Sequence, residues 1–444
     1  MADTLPGNSI DPADRIRANS RKTADSGSSI GSFFNNAPLA GYIFWKLYFY
    51  CQITQSHMIA MISHLRLLPL NHLLPRLKTM ISVILVNYHA SRLAIKAVAS
   101  VIDQANIEKP EIIVIDNSTS ESEHAFMRAH LPDEVTYIIN QHNTGFAQAC
   151  NQAYSRSSGK FILLLNPDAR LLPDALSRLS DCLIKHPDAG AVGPRVYWDD
   201  DCRFFMPPST FPSNTGFYKE AVSRLHPYLA SYPSFDFRKK ALQSWTCTAP
   251  ITVEALSGGH VLLRRDAIEQ CGGLFDERFF MYWEDSDLMH RLKKTGYRVY
   301  MEPTAGCLHY YEHTSTKDEL IARGWPAYLD KNLAHTTGFQ IANWLNQRLP
   351  PAVVPDIEPL ACHDEKLSFP VPAELSNAWL LELGTRPQFI PAIGLFGSGP
   401  TAEVSTALFK RLREKTYYAR LSAPNSRPDL VYYWQWQGYS PDTH

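Results

Sequence analysis

The stretch Ile81-Ser-Val-Ile-Leu-Val86 decides the fold class, because a nearly unbroken apolar run of this length is typical of a strand buried on both faces. Similar runs follow at Glu111-Ile-Ile-Val-Ile115 and Phe161-Ile-Leu-Leu-Leu165. Amphipathic stretches separate these runs, at Leu93–Ile102 and at Phe146–Tyr154. Apolar strands that alternate with helices predict an α/β fold, in which a mostly parallel sheet is flanked by helices.

Outward from these strands, the 444 residues divide into three zones. Residues 81–340 carry the strand and helix alternation, and residues 198–250 interrupt it with prolines and aromatics that predict an irregular insertion acting as an acceptor lid. Residues 341–444 begin with a proline-rich joint and predict a small accessory α/β module of unassigned function. In that module we expect strands at Phe389–Phe396 and near Asp429–Trp434, with a helix at Thr401–Leu412 between them.

Composition narrows the possible functions. The chain has 43 Lys and Arg against 44 Asp and Glu, a net charge of -1, which argues against a surface built to bind nucleic acid. Its 8 cysteines include no C-x-x-C pair, so a zinc ribbon or a dense disulfide framework is not expected. These features predict buried, reduced thiols in a cytoplasmic protein.

Residues 1–80 do not resemble one folded unit. Residues 1–36 are polar, and the run Tyr42–Tyr50 is then strongly aromatic but well short of the ~20 residues that span a bilayer. With Arg66, Arg76 and Lys78, this run favours a peripheral contact with the inner face of the cytoplasmic membrane. The alternatives are a packing extension, or a stretch upstream of a natural start at Met80.

Polar residues follow four predicted strands. Asn87 ends the first strand and Asp116 the second, Asn143 and Gly145 follow the third, and Asn166-Pro-Asp168 ends the fourth. Open α/β sheets bind ligands at the carboxyl ends of their strands, which makes this edge the predicted site. Each cluster taken alone is equally typical of turns and helix caps.

A later segment concentrates carboxylates. Ser257-Gly-Gly-His260 precedes a short strand, and Phe279-Phe-Met-Tyr-Trp-Glu284-Asp285-Ser-Asp287 follows it. Apolar surroundings raise the basicity of a carboxylate, which suits one of the three carboxylates Glu284, Asp285 and Asp287 as a general base. The alternative is that Asp285 or Asp287 only caps the following helix. His309, after the next strand, is a candidate metal ligand together with its neighbours.

From Ile81 to about Ser315 the chain resembles the inverting family 2 glycosyltransferases, which have the nucleotide-sugar-binding fold called GT-A. The Asn-Pro-Asp and Trp-Glu-Asp motifs are most similar to the rhamnosyltransferase-like branch that builds cell-surface polysaccharides. The resemblance rests on motifs in the family's order: Ser82–Tyr88, Val114–Ser118, Asn143–Asn151, Leu163–Asp168, Gly272–Asp285 and His309.

The resemblance implies transfer of a sugar from a nucleotide-diphosphate-sugar, such as dTDP-rhamnose or a UDP-sugar, to a glycan or lipid-linked glycan. Asp285 would be the catalytic base beside Glu284, and a divalent Mg²⁺ or Mn²⁺ would bind Asp168 and His309. Asp116 would contact the nucleotide base. The other residues assigned to the donor region are Asn87, Asn143, Gly145, Asn151 and Asn166. Asn166 replaces a carboxylate that many relatives have, which predicts weaker cation binding.

Two other classes of protein remain open. A non-catalytic regulatory protein that binds nucleotide sugars would need the donor residues without Asp285. A dehydrogenase using NAD(P) would rest on the loop Gly394-Leu-Phe-Gly-Ser-Gly399, whose spacing departs from G-x-G-x-x-G.

Overall fold

The computed structural model describes residues 81–226, 229–310, 315–350, 358–359, 367–405, 408, 412, 416–425 and 431–437. The predictions for residues 1–80 lie outside these ranges and remain predictions.

The first part of the described chain alternates strands and helices. Its strands are β1 (Ile81–Asn87), β2 (Glu111–Asp116), β3 (Thr136–Ile139), β4 (Phe161–Leu165), β5 (Ala169–Leu171) and β6 (Ala189–Tyr197). Its helices are α1 (Ser91–Ile102), α2 (Glu121–His130), α3 (Phe146–Tyr154) and α4 (Ala175–Lys185). The predicted strand and helix alternation is thus confirmed in this part of the chain.

The middle part carries the predicted insertion and the later strands. Its strands are β7 (Phe204–Phe205), β8 (Ile251–Thr252), β9 (His260–Arg264) and β10 (Arg298–His309). Its helices are α5 (Asn214–Leu225), α6 (Tyr232–Thr246), α7 (Arg265–Gln270), α8 (Glu284–Lys294), α9 (Ser315–Asn332) and α10 (Thr337–Arg348). The expectation of an irregular insertion was wrong, because α5 and α6 occupy much of it. Two aromatic residues of α6, Phe237 and Trp245, are buried in an apolar cluster.

The central sheet is mostly parallel, and its strand order brings the predicted strand ends together. The strands β3, β2, β1 and β4 are parallel neighbours, and β10 is parallel to β6. Strand β9 lies between β4 and β6 and is antiparallel to both. All residues of β1 and β4 are buried, as their continuous apolar composition predicted. The predicted α/β fold class is confirmed.

The described tail consists mostly of antiparallel strands, most of them in one continuous sheet and two of them in a separate two-stranded sheet. Its strands are β11 (Glu358–Pro359), β12 (Leu367–Pro370), β13 (Trp379–Gly384), β14 (Ala392–Gly397), β15 (Thr401–Val404), β16 (Thr416–Ser422) and β17 (Val431–Gln437). The predicted strands of this region exist, but Thr401–Val404 is a strand where a helix was expected. Alternate residues of that stretch are buried, Ala402 and Val404, which is the period of a strand. Strand β14 pairs with β7, so the tail sheet continues the central sheet.

Two further observations bear on the early expectations. Six described cysteines are free thiols, and four of them are buried: Cys150, Cys182, Cys271 and Cys307. Within the described ranges, no helix has both the length and the apolar character that crossing a bilayer requires.

Candidate active site

A cavity of about 650 Å³ opens at the carboxyl edge of the central sheet. It is lined by Asn143, Gly145, Asn166, Asp168, Glu284, Asp285 and His309 among the predicted site residues. The remaining three, Asn87, Asp116 and Asn151, do not line it. Seven of the ten predicted site residues therefore line one cavity, and the other three lie behind its lining.

The loop Ser257–Gly259 joins the two sides of this cavity. The Gly258 N–H donates to Asp285 Oδ2 at 3.1 Å, and the Gly259 carbonyl accepts from the Asn166 N–H at 2.8 Å. A Cβ at Gly259 would lie 2.6 Å from the Asn166 amide nitrogen and 3.3 Å from the His309 ring. A side chain at this position would therefore displace Asn166, which explains the glycine at Gly259.

The carboxylate pair at the start of α8 is held in an unusual backbone conformation. Tyr282 and Trp283, just before the helix, have φ of 70° and 74°, a region that bulky residues rarely occupy. The Trp283 indole donates to the Ile321 carbonyl at 2.8 Å, which fixes the turn. This turn directs Glu284 and Asp285 to the cavity.

Burial makes both of these carboxylates basic. The pKa of Asp285 is raised by burial, against hydrogen bonds donated by the Gly258 and Ser286 backbone. The pKa of Glu284 is raised well above its ordinary value, first by burial and then by the Asp285 charge, and its Oε2 has no hydrogen-bond partner in the described structure. Asp287 differs, since it forms ion pairs at 2.8 Å with Arg291 and Lys331 and does not line the cavity. Asp287 is thus a structural residue.

Asp168 and His309 meet on the other side of the cavity. The His309 Nε2 lies 3.2 Å from Asp168 Oδ1. Burial alone would raise the pKa of Asp168, but the hydrogen bond and charge of His309 outweigh it and hold the pKa below its usual value. An ionised carboxylate beside an imidazole is a fitting pair of ligands for a divalent cation.

His260 adjoins this pair and was not among the predicted site residues. Its ring centroid lies 5.3 Å from that of His309, and burial with the His309 charge lowers its pKa to about 3. Its Nδ1 is buried without a hydrogen-bond partner in the described structure. Because β9 runs antiparallel, its first residue lies beside Leu165, at the end of β4. His260 therefore reaches the site from the start of a strand, whereas the sequence prediction considered residues at the ends of strands.

The cation fit can be tested on these residues. Among the described residues no group of three His, Cys, Asp or Glu side chains is arranged to hold a metal ion. Asp168 and His309 would nevertheless supply two ligands, and the neutral imidazole of His260 lies beside them. Donor phosphate oxygens and water would complete the coordination that Mg²⁺ or Mn²⁺ requires.

Asp116 connects strand ends behind the cavity. It is fully buried, and its Oδ1 accepts from the Asn87 amide at 3.0 Å and from the Ser118 N–H at 2.9 Å. Its Oδ2 accepts from the Tyr137 hydroxyl at 2.5 Å. Asp116 was expected to contact the nucleotide base, but both of its carboxylate oxygens accept hydrogen bonds from the protein itself. Its neighbour Asn117 lines the cavity.

Asn151 also acts from outside the cavity. Its amide group donates to the Phe275 carbonyl at 2.9 Å and accepts from the Phe275 N–H at 3.0 Å. These bonds attach α3 to the loop that precedes α8. Asn143 supports the same region from within the cavity, because its Oδ1 accepts from the Gly145 N–H at 2.9 Å.

Gly145 has to be glycine. Its φ is 83°, and a Cβ there would lie 2.3 Å from the Phe280 carbonyl oxygen. That carbonyl accepts from the Phe146 N–H at 2.7 Å, so the start of α3 is in direct contact with the loop before α8. The glycine permits this close approach.

Two more residues line the cavity without having been assigned to the site, Lys317 and Tyr88. Lys317 in α9 is buried, and burial lowers its pKa to about 8 against the opposing charges of Asp168, Asp318 and Asp285. Tyr88 follows β1 and is half exposed at the cavity. Nothing in the pattern around Lys317 marks it, because its place depends on how α9 packs.

Comparison with known proteins agrees with the motifs. The family model described as Glycosyl transferase family 2 matches residues 82–271. An N-acetylglucosaminyl-diphospho-decaprenol L-rhamnosyltransferase of Mycobacterium tuberculosis is 30% identical over 224 residues, 48% of this chain and 70% of that protein. The O-antigen biosynthesis protein RfbC of Myxococcus xanthus is 26% identical over 226 residues, 49% of this chain but 16% of that protein.

Solved structures are more distant. A structure of GalNAc-T7 with UDP, GalNAc and Mn²⁺ has 16% sequence identity and a TM-score of 0.41, covering 62% of this chain and 52% of that one. The mannosyltransferase PcManGT of Pyrobaculum calidifontis, in complex with GDP-Man and Mn²⁺, has the same identity and TM-score. The match covers 62% of this chain and 73% of that one.

Proposed function

The chain belongs to glycosyl transferase family 2, and from this we propose that it is an inverting enzyme of the GT-A type that builds a glycan or lipid-linked glycan. Its donor would be a nucleotide-diphosphate-sugar, dTDP-rhamnose or a UDP-sugar. The observation that carries the proposal is one cavity holding the basic carboxylates Glu284 and Asp285 together with the Asp168–His309 pair.

In this proposal Asp285 is the general base. It takes the proton from an acceptor hydroxyl as that oxygen attacks the anomeric carbon, from the face opposite the nucleotide. A single displacement of this kind inverts the configuration and forms no sugar–enzyme intermediate. The Gly258 N–H that donates to Asp285 keeps the carboxylate oriented through the step. Glu284 contributes a second carboxyl group, whose own ionisation is opposed by burial and by the Asp285 charge.

The leaving diphosphate requires positive charge. Asp168 and His309 would hold a divalent cation, which supplies stabilisation of the charge that develops on the diphosphate. Lys317 lines the same cavity and adds a cation from the protein itself. Asn143 and Asn166 offer amide groups to the sugar or the phosphates. Asn87, Asp116 and Asn151 support the donor site from behind.

The reaction can be tested without knowing the acceptor. Nucleotide sugars are screened for thermal stabilisation with and without Mn²⁺, since a ligand that binds the folded state raises the melting temperature. We expect one dTDP- or UDP-sugar to stabilise the protein more strongly with Mn²⁺. Product analysis by NMR should then show an anomeric configuration opposite to that of the donor. A protein stabilised by no nucleotide sugar would contradict the proposal.

A further inference from the structure

The cavity extends to a wall that the proposed chemistry does not use. This apolar wall consists of Met206, Phe237, Trp245, Ile390 and Pro391. Met206 directly follows β7, and Phe237 and Trp245 lie in α6. Ile390 and Pro391 lie in the turn before β14 and so belong to the tail. Arg195 also lines the cavity; its Nη2 donates to the Cys247 carbonyl at 2.5 Å, and its Nε is buried without a hydrogen-bond partner in the described structure.

Trp245 is the centre of the apolar wall, and the tail holds it. Its indole N–H donates to the Met206 carbonyl at 2.8 Å. The other side of the ring rests on Gly394 in β14, where a Cβ would lie 2.4 to 2.8 Å from three ring atoms. Gly394 is therefore a glycine because Trp245 occupies the space of a side chain.

A buried ion cluster fixes α6, the helix that carries Phe237 and Trp245, to the tail sheet. Glu382 in β13 is fully buried and accepts from Arg420 in β16 at 2.7 and 2.9 Å. Arg238 in α6 forms an ion pair with the same carboxylate and donates to the Ser422 hydroxyl at 2.7 Å. Phe237 and Trp245 also share one apolar cluster with Leu380 and Phe389 of the tail. Helix α6 and the tail sheet thus pack as one body.

The chemistry of the apolar wall selects its occupant. A sugar ring carries hydroxyl groups that need hydrogen-bond partners when they leave water. The five side chains of this wall offer indole, phenyl, thioether and aliphatic surface, and the Trp245 N–H is already engaged. Hydrocarbon gains most from such a surface, because it leaves water without giving up hydrogen bonds.

We propose that the apolar wall binds the hydrocarbon next to the head group of a lipid-linked acceptor, and that the tail sheet serves to hold this wall in place. The inference rests on the proposed function, because the cavity that holds the wall also holds Asp285. It assigns a role in acceptor selection to the tail, whose function was otherwise unassigned.

The test uses two acceptors that carry the same glycan, one on a long alkyl chain and one on a methyl group. The Gly394→Ala variant drives a methyl group into the Trp245 ring from outside the cavity. Its matched control is Gly397→Ala in the same strand, where the Cβ would lie 2.3 Å from Trp379, a residue that does not line the cavity. Both variants are compared at full length for acceptor KM, donor-induced stabilisation and unfolding midpoint.

For the wild type we expect a lower KM with the alkyl acceptor than with the methyl acceptor. Gly394→Ala should reduce this preference by roughly tenfold, the effect of losing contact with about two CH₂ groups, while Gly397→Ala keeps it. Donor-induced stabilisation should be the same in all three proteins. If Gly394→Ala does not fold, Ile390→Asn, at a half-buried position of the wall, should show the same loss of preference.

Equal preference in Gly394→Ala, Ile390→Asn and wild type would overturn the inference. An equal loss with both acceptors would also overturn it, since the wall would then hold sugar. Neither result affects the proposed function, which depends on donor binding and transfer; a wild type that binds no donor would remove the proposed function instead.

Discussion

At the scale of single residues, neighbouring carboxylates have been given different tasks by their surroundings. Asp287 is neutralised by Arg291 and Lys331, whereas Glu284 and Asp285 face the cavity with raised pKa values. A carboxylate with a raised pKa is the better proton acceptor, so the general base should be Glu284 or Asp285.

The first prediction is that Asp285→Asn abolishes transfer while the donor still binds. Loss of a general base lowers kcat by roughly 10²- to 10⁴-fold and leaves interactions with the donor in place. Turnover and donor-induced thermal stabilisation are measured side by side. In the wild type, activity should fall as the pH drops through the raised pKa of this carboxylate, above the range of an ordinary Asp. Near-full turnover in the variant would instead assign the base to Glu284.

The second prediction is that Asp168→Ala weakens cation binding and donor affinity together, because the ion would join the protein to the diphosphate. Mn²⁺ binding is followed by EPR and donor binding by calorimetry, both without turnover. Asp181→Ala, at an exposed carboxylate of α4 outside the cavity, is the control. A wild type that transfers equally well in excess chelator would remove the metal assignment.

The third prediction concerns the stability cost of Glu284. The pKa of Glu284 is raised in the folded state, so the stability linked to its titration is fully present below its unfolded-state pKa. This stability is lost as the pH rises through the folded-state pKa of Glu284. Glu284→Gln removes this titration. The variant should therefore melt at a higher temperature than the wild type, with a difference that grows from pH 5 to pH 8. A difference that is independent of pH would show that the Glu284 charge carries no such cost.

At the scale of elements, the site depends on contacts between segments far apart in sequence. Gly145 lets α3 touch the loop before α8, and the Gly258–Gly259 pair lets the loop before β9 reach both Asp285 and Asn166. The same principle operates at α6, where Arg238 reaches a carboxylate in β13. Small residues and buried ions thus determine which elements can meet.

The fourth prediction is that Glu382→Gln destabilises the protein strongly. The change leaves the buried guanidinium groups of Arg238 and Arg420 without their counter-charge, at a cost of about 3–5 kcal/mol. Urea unfolding of the variant is compared with that of Glu403→Gln, an exposed glutamate in β15 of the same tail. A loss of stability no larger than that of the control would show that the cluster is not a joint between α6 and the tail.

At the scale of the whole molecule, the open question is how the enzyme reaches its acceptor. A lipid-linked acceptor lies at a bilayer surface, and the described residues contain no helix able to span one. The aromatic run Tyr42–Tyr50 and the basic residues Arg66, Arg76 and Lys78 suit a peripheral attachment at the cytoplasmic face.

The fifth prediction is that the full chain co-sediments with anionic liposomes and a version starting at Met80 does so far less. Binding should weaken as salt rises, because electrostatic attraction to lipid headgroups is screened. Liposomes of neutral lipid are the control for the charge contribution. Equal binding by both versions would move the attachment away from residues 1–80.

The sequence by itself determined the α/β class, the strand ends and seven of the residues that line the cavity. The strands at Ile81–Val86 and Phe161–Leu165 are apolar throughout because both faces of a parallel sheet are covered, and such a pattern is local. Polar residues after these strands had to fall on one edge, since parallel strands point the same way. Asp168 and Asn166 could be found by that rule.

Only the tertiary structure decided the rest. The residues of a strand do not show whether it runs antiparallel to its neighbours. His260, at the start of the antiparallel strand β9, was therefore not predicted as a site residue. Lys317 enters the cavity through the packing of α9, and Asp116 is enclosed by side chains from two other strands. The tail was expected to be a small accessory α/β module, and only the packing shows that its sheet supports Trp245. The physical reason is common to these cases: contacts between distant segments depend on the whole packing, whereas sequence patterns report only local period and burial.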